Sequence, residues 1–263
     1  MWEQIKLFLY KVTASLRSRT IFPDDLDIDT SDFFDKPIKL KIAVIDDSEF
    51  PWLNTLESKG HNVSIFSDYH KTNTKTSQRK LKAFELSKFD IVFCDIEGVG
   101  GKAFPRLEGV GVIQDIREQN PLQVIVAFTG SPARLLDPKT GENFTDLDSV
   151  FQRDWEVDDF LLNFNSLVKI FTTPKQRWKF LRARLVHLGW SESRITSVQR
   201  AFTENVLLLK YLGERSKISK DEIQRIVISS EKKVDIKGVV GTAAIAVKTI
   251  NIASSLFIFN SFK

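Results

Sequence analysis

Three apolar runs, each stopping at a polar residue, constrain this chain more than any other feature. Ile91-Val92-Phe93-Cys94 is unbroken, follows Asp90 and runs into Asp95-Ile96-Glu97-Gly98. A strand without polar alternation is buried on both faces, as in parallel sheets covered by helices. Leu40-Lys41-Ile42-Ala43-Val44-Ile45 runs in the same way into Asp46-Asp47-Ser48, and Gln123-Val124-Ile125-Val126-Ala127-Phe128 runs into Thr129-Gly130. Open α/β sheets display reactive groups just outside the carboxyl ends of their strands. If these strands are parallel neighbours, three carboxylates and a hydroxyl meet in one crevice.

The segments between the runs fit that architecture. Glu49 to Lys59 carries Phe50, Leu53 and Leu56 at helical spacing and stops at Gly60, the usual residue just past a helix. Asn62 to Ser67 reads as a strand, Leu81 to Lys88 as a helix, and Val110 to Gln119 as a helix closed by Asn120-Pro121. Ser149 to Gln152 is a fifth strand, followed by a helix from Val157 to about Phe171. Tyr69 to Lys80, polar and aperiodic, is expected to be a mobile surface loop. Strands alternating with helices predict a doubly wound parallel sheet of five strands with right-handed crossovers.

Charge divides the chain. Residues 170–263 hold 17 Lys+Arg against 7 Asp+Glu, whereas residues 1–169 hold 21 against 27. An acidic front and a basic back suggest two functional parts. The single cysteine, Cys94, excludes an intrachain disulfide, and with three histidines in the chain a Cys/His metal cluster is not available. A reducing cytoplasm is the expected compartment. Near the N-terminus Trp2, Ile5, Leu9, Val12 and Leu16 fall at helical spacing among Lys6, Lys11, Arg17 and Arg19, which predicts an amphipathic helix docked on the protein or lying on a membrane. An acidic linker follows, from Ile21 to Lys36.

Two carboxylates after one strand and a third after another make an oxygen-only site, which suits Mg²⁺ better than zinc. Such a cluster repels itself unless a cation relieves it. A phosphoryl group arriving at Asp95 needs a cation, a hydroxyl and a basic side chain around its oxygens, and Thr129 and Arg153 are placed to supply the last two. Bland readings stand beside these. Asp-Asp after a strand also suits a helix cap, Thr129-Gly130 and Gly98-Val99-Gly100 suit turns, and Arg153 suits a surface ion pair.

Taken together, residues 39–171 resemble a receiver domain of a two-component response regulator. The acidic pair of that family matches Asp46 and Asp47, its phosphoacceptor matches Asp95, and its switch hydroxyl matches Thr129. The lysine usual after the fifth strand falls at Arg153, the following proline at Asp154, and the switch aromatic at Val150, one residue before Phe151. The resemblance implies a flavodoxin-like fold and Mg²⁺ held by Asp46, Asp47, Asp95 and the backbone carbonyl of Glu97. It further implies phosphoryl transfer to Asp95 from a histidine kinase or phosphotransfer protein, with Thr129 and Arg153 sensing the phosphoryl group. No enzyme activity is expected beyond self-phosphorylation and autodephosphorylation. The alternative is a membrane-associated effector or DNA-binding regulator with a receiver-like domain that is not phosphorylated.

The remainder, residues 172–263, is expected to be all-α and is not covered by the resemblance. Thr173-Pro174-Lys175-Gln176 has the form of a capping box with Pro at the first helical position. A helix bearing Trp178, Leu181, Leu185 and Leu188 and ending at Gly189 follows, then one from Ser191 to Leu212 and one capped at Ser219. The set suits a docking bundle or a DNA reader, with DNA the less favoured partner and a homodimer left open. His187 reads as a packed or surface histidine. Residues 231–263 form an apolar segment in which Gly238 to Phe259 approaches the length of a membrane span, with Lys248 at its middle. Contact with an inner-membrane surface, insertion, or burial as a terminal helix or strand pair are the readings it leaves.

Overall fold

The structure is a computed structural model and describes residues 2–25, 39–69, 86, 88–130 and 147–215. Residues 39–165 form one compact unit, and residues 1–38 with 166–263 form another. The described helices are α1 (Trp2–Arg17), α2 (Leu53–Ser58), α3 (Gly109–Gln119), α4 (Val157–Thr172), α5 (Pro174–His187) and α6 (Glu192–Arg215). The strands are β1 (Lys41–Ile45), β2 (Asn62–Phe66), β3 (Ile91–Asp95), β4 (Val124–Thr129) and β5 (Ser149–Gln152).

All five strands pair in parallel, in the order β2-β1-β3-β4-β5. This is the flavodoxin-like order, with its crevice where β1 and β3 diverge to opposite sides. Every residue of β3 and β4 is buried, while β2 and β5 at the two edges are only partly so. That is the burial expected of runs that are apolar on both faces.

Alternate residues divide between two cores. Ala43, Ile45, Val92, Cys94, Ile125 and Ala127 pack with Val112, Ile113 and Ile116 of α3. Phe93, Phe128 and Phe151 belong to an aromatic cluster with Phe50, Trp52 and Phe160. Phe160 of α4 is the hub of this cluster, stacked on Trp52 at 4.3 Å between centroids and parallel to Phe164 at 5.8 Å. Phe151, not Val150, is the β5 residue in that cluster; Val150 packs on the α3 side.

Two expectations for this unit fail for identifiable reasons. The helix expected from Glu49 begins only at Leu53. Pro51 disfavours helical backbone at the residue before it, and Phe50 and Trp52, two residues apart, are both buried in the aromatic core, which a single helix face cannot achieve. Tyr69, expected at the start of a surface loop, is fully buried and donates its hydroxyl to Asp115 of α3. Asp115 also accepts from Gln119 Nε2 at 2.9 Å. The rest of that loop and nearly all of the helix expected over Leu81–Lys88 lie outside the described residues.

Arg117 forms a polar junction that nothing in the residue pattern announced. It is buried and donates to the carbonyls of Pro121 at 2.7 Å and Gln123 at 2.8 Å. Its other terminal nitrogen pairs with Asp148 at 3.0 Å, and Asp148 also accepts from the backbone of Ile125 at 2.8 Å. The end of α3 and the starts of β4 and β5 are thereby held together.

In the second unit α1 packs on α6, with Ala14 buried and Tyr10 against Tyr211 at 6.4 Å. Leu9, Val12 and Leu16 are 55%, 40% and 58% exposed, so these apolar positions do not face α6. Trp178, Leu181 and Leu185 of α5 are buried, with Trp178 5.6 Å from Phe202 of α6. Pro174 opens α5, but the capping box is absent: Thr173 makes no side-chain cap bond and its hydroxyl lies 3.5 Å from that of Thr172. Gly189 takes a left-handed φ of +72° just past the helix, where a side chain would be strained. His187 is exposed. No described helix is long and apolar enough to cross a membrane. The helix expected from Ser219 and the segment Gly238 to Phe259 lie outside the described residues.

Candidate acidic site at the strand ends

The strand register assembles the site. Ile45 pairs with Cys94, so Asp46 and Asp95, one step further, come side by side. Asp95 pairs with Phe128, so Thr129 follows on the next strand, and Thr129 pairs with Gln152, next to Arg153. Asp46, Asp47 and Asp95 each offer a carboxylate oxygen, all within 4.8 Å of one another. Asp46 and Asp95 are buried and Asp47 is exposed.

Each buried acid is held by its own turn. Asp46 Oδ1 accepts from the backbone N–H and the hydroxyl of Ser48, both at 2.8 Å. This is a local turn and not a helix cap, since α2 begins at Leu53. Asp95 Oδ1 accepts from the backbone N–H of Glu97 at 3.2 Å.

Arg153 joins them. Its Nη2 donates to Asp46 Oδ2 at 2.8 Å and to Asp95 Oδ2 at 2.6 Å. Its Nη1 donates to the Ser48 hydroxyl at 2.6 Å and the Glu49 carbonyl at 3.3 Å. The guanidinium carbon lies 4.6 Å from the centroid of the Phe128 ring, within cation–π range. The Arg153 backbone N–H donates to the Thr129 carbonyl at 2.9 Å. Arg153 is thus a two-pronged partner of the acidic cluster. Ser48, Glu49 and Phe128, which anchor it, were not singled out in the sequence as its partners, because a guanidinium's reach depends on the fold.

Electrostatics follow from the burial. Desolvation pushes the Asp95 carboxyl above its usual range and Asp46 adds to this, while the Glu97 N–H, Arg153 and the Ile96 N–H oppose it. Burial lowers Arg153, but Asp46 and Asp95 outweigh it and hold the guanidinium above its usual value. The Cys94 thiol is pushed well up by burial, then by Asp95 and Asp46. It bonds to the Asp95 carbonyl at 3.3 Å and serves as packing rather than as a nucleophile.

The raised Asp95 value sets a pH dependence. The folded state binds the proton more tightly than the unfolded chain, so what this group contributes to stability is present at acid pH. It is lost as pH rises from about 4, the ordinary carboxylate value, through the raised one. Asp95→Asn is therefore expected to stabilise the metal-free protein more at neutral than at acid pH. Melting temperatures of both proteins across that range test this, and a gain largest at acid pH would contradict it.

Two glycines make room for the acids. Gly98 has φ +76°, and a Cβ there would fall 2.2 Å from Asp47 Oδ2. Gly98→Ala is expected to cost about 1–2 kcal/mol for the left-handed backbone and to displace the exposed Asp47 side chain. Denaturant unfolding checks the first, and an unchanged midpoint would contradict it. Gly109, at the start of α3, leaves no room at all: a Cβ there would lie 1.9 Å from the Asp95 carbonyl oxygen.

Three convergent hard oxygens fit a magnesium-type cation in ligand chemistry. No protein-family model matches the chain, and no curated protein matches it in sequence. Among solved structures, the receiver domain of NtrX from Brucella abortus is 18% identical, covering 49% of this chain and 98% of that one, with a TM-score of 0.35. TrrA from Thermotoga maritima, a response regulator solved with Mg²⁺ and beryllium fluoride, is 18% identical over 49% of this chain and 98% of its own, with a TM-score of 0.34. A CheY-like receiver from Methanospirillum hungatei is 18% identical over 51% and 96%, with a TM-score of 0.31. At these scores the fold assignment rests on the strand order itself.

Proposed function

We propose that residues 39–165 are a receiver domain and that the protein is a response regulator of a phosphorelay. The observation that carries this reading is the convergence of Asp46, Asp47 and Asp95 at the ends of β1 and β3, with Arg153 reaching them from beyond β5. Asp95 would attack the phosphorus of a phosphohistidine on a histidine kinase or phosphotransfer protein. A P–O bond to its carboxylate forms as the P–N bond breaks, and the imidazole leaves with a proton. Asp46, Asp47 and Asp95 would hold Mg²⁺, together with the Glu97 backbone carbonyl implied by the family resemblance. When bound, the ion neutralises charge on the phosphoryl oxygens during transfer.

Thr129 and Arg153 would then bind the new phosphoryl oxygens, the first through its hydroxyl and the second through its planar fork. Arg153 cannot move alone, because its Nη1 is tied to Ser48 and Glu49 and its ring face to Phe128. Its movement would thus be felt by the loop after β1 and by the end of β4. The basic helical part of the chain is the natural reader of that change, and the domain itself turns over no substrate beyond its own phosphoryl group. Cytoplasmic placement fits this role.

Acetyl phosphate with Mg²⁺ tests the proposal without a named kinase. Intact mass should show one added phosphoryl group. A protein left unmodified under conditions that label a standard receiver would sink the reading.

A further inference from the structure

The single nitrogen that bridges the two buried acids has a consequence for cation loading. Oδ1 of Asp46 and Oδ1 of Asp95 are already held by the turns at Ser48 and Glu97. Both remaining oxygens, Asp46 Oδ2 and Asp95 Oδ2, accept from the same atom, Arg153 Nη2, at 2.8 and 2.6 Å. Magnesium holds its ligands at about 2.0–2.1 Å with near-octahedral angles, so two of its ligand oxygens lie about 3 Å apart with the ion between them. A nitrogen within hydrogen-bond distance of both oxygens takes up the lone pairs such an ion would need and carries charge of the same sign.

We propose that Arg153 is a built-in cation plug: its guanidinium and a divalent cation are mutually exclusive occupants of Asp46 Oδ2 and Asp95 Oδ2. This rests on the receiver reading above and adds to it that loading the cation requires Arg153 to be displaced. The plug is well anchored. The Ser48 hydroxyl, the Glu49 carbonyl and the Phe128 ring all hold the guanidinium where it is. A lysine ammonium at this position is a single point charge on a flexible stem and could not make the same forked set of contacts. The replacement of lysine by arginine would thus make the cation site of this chain weaker and more dependent on what pulls Arg153 away. The oxygens of an incoming phosphoryl donor, which attract a guanidinium, would do so. By linkage the cation must loosen Arg153 as much as Arg153 weakens the cation.

Calorimetric titration of Mg²⁺ into the full-length wild type and into Arg153→Gln tests this, with ¹⁵N spectra of the Arg153 guanidinium in the wild type as a second readout that needs no variant. Gln removes the charge and cannot bridge both acids while holding Ser48. The variant should bind Mg²⁺ at least about tenfold more tightly, the scale on which one charge at contact distance moves a carboxylate equilibrium. The wild-type Nη signals, slowed by bridging in metal-free buffer, should change to those of a freely rotating group at saturating Mg²⁺. Equal or weaker binding by the variant, or Nη signals unaltered at saturation, would overturn the plug while leaving the receiver reading in place. Absence of Mg²⁺ binding in both proteins would overturn the plug and the receiver reading together.

Discussion

Asp95→Asn is expected to abolish labelling by acetyl phosphate and Mg²⁺ while the protein stays folded. The amide is nearly isosteric with the carboxylate but has no anionic oxygen with which to attack phosphorus. The backbone that carries it will not collapse, because β3 is paired on both sides and wholly buried. The effect should therefore be complete in activity and mild in stability, a combination that a structural residue does not give. Intact mass for the label and far-ultraviolet circular dichroism for the fold measure the two halves. Undiminished labelling of the variant would place the acceptor elsewhere, with Asp46 and Asp47 the next to examine.

Gly109→Ala should be the most damaging small change in the unit of residues 39–165. The added carbon would lie 1.9 Å from the Asp95 carbonyl oxygen and 2.6 Å from the Ile96 Cα, both backbone atoms of the central strand's end. A flexible side chain could swing aside, but this backbone cannot. Overpacking a core costs about 1–3 kcal/mol, and a clash between two backbones belongs at about 3 kcal/mol, the top of that range. Relaxation on the strand side would shift Asp95 against Asp46 and Arg153, so labelling should fall as well. Denaturant unfolding and the rate of phosphoryl incorporation read the two effects. A loss below about 1 kcal/mol, the mean for an ordinary substitution, would contradict the close approach.

Much of the unit of residues 39–165 was legible in the residue order. The unbroken runs at Ile42–Ile45, Ile91–Cys94 and Val124–Phe128 could be buried on both faces only in a helix-covered sheet, and they became its three central strands. The polar residues at their ends were then bound to share one edge. What misled was local pattern without partners. Phe50 sits at helical spacing from Leu53, yet it enters the core from an irregular turn because Pro51 and Trp52 require it. Tyr69 looked like the beginning of a polar loop, yet a buried carboxylate on α3 receives its hydroxyl. Thr173 had the spacing of a capping box, but no cap bond formed.

The residue order alone determined the sheet, its parallel sense and the three acids at its rim, because hydrophobic periodicity and strand-end chemistry act over a few neighbouring residues. It did not decide which atoms of those acids face one another or what stands between them. Asp46 and Arg153 are 107 residues apart and meet at 2.8 Å only because β1 and β5 end on the same edge of one sheet. Long-range contacts of this kind are set by packing, whose energy depends on distance in space and not along the chain. The guanidinium between the two carboxylates is therefore a property of the folded protein, and with it the expectation that a cation must displace an arginine to enter.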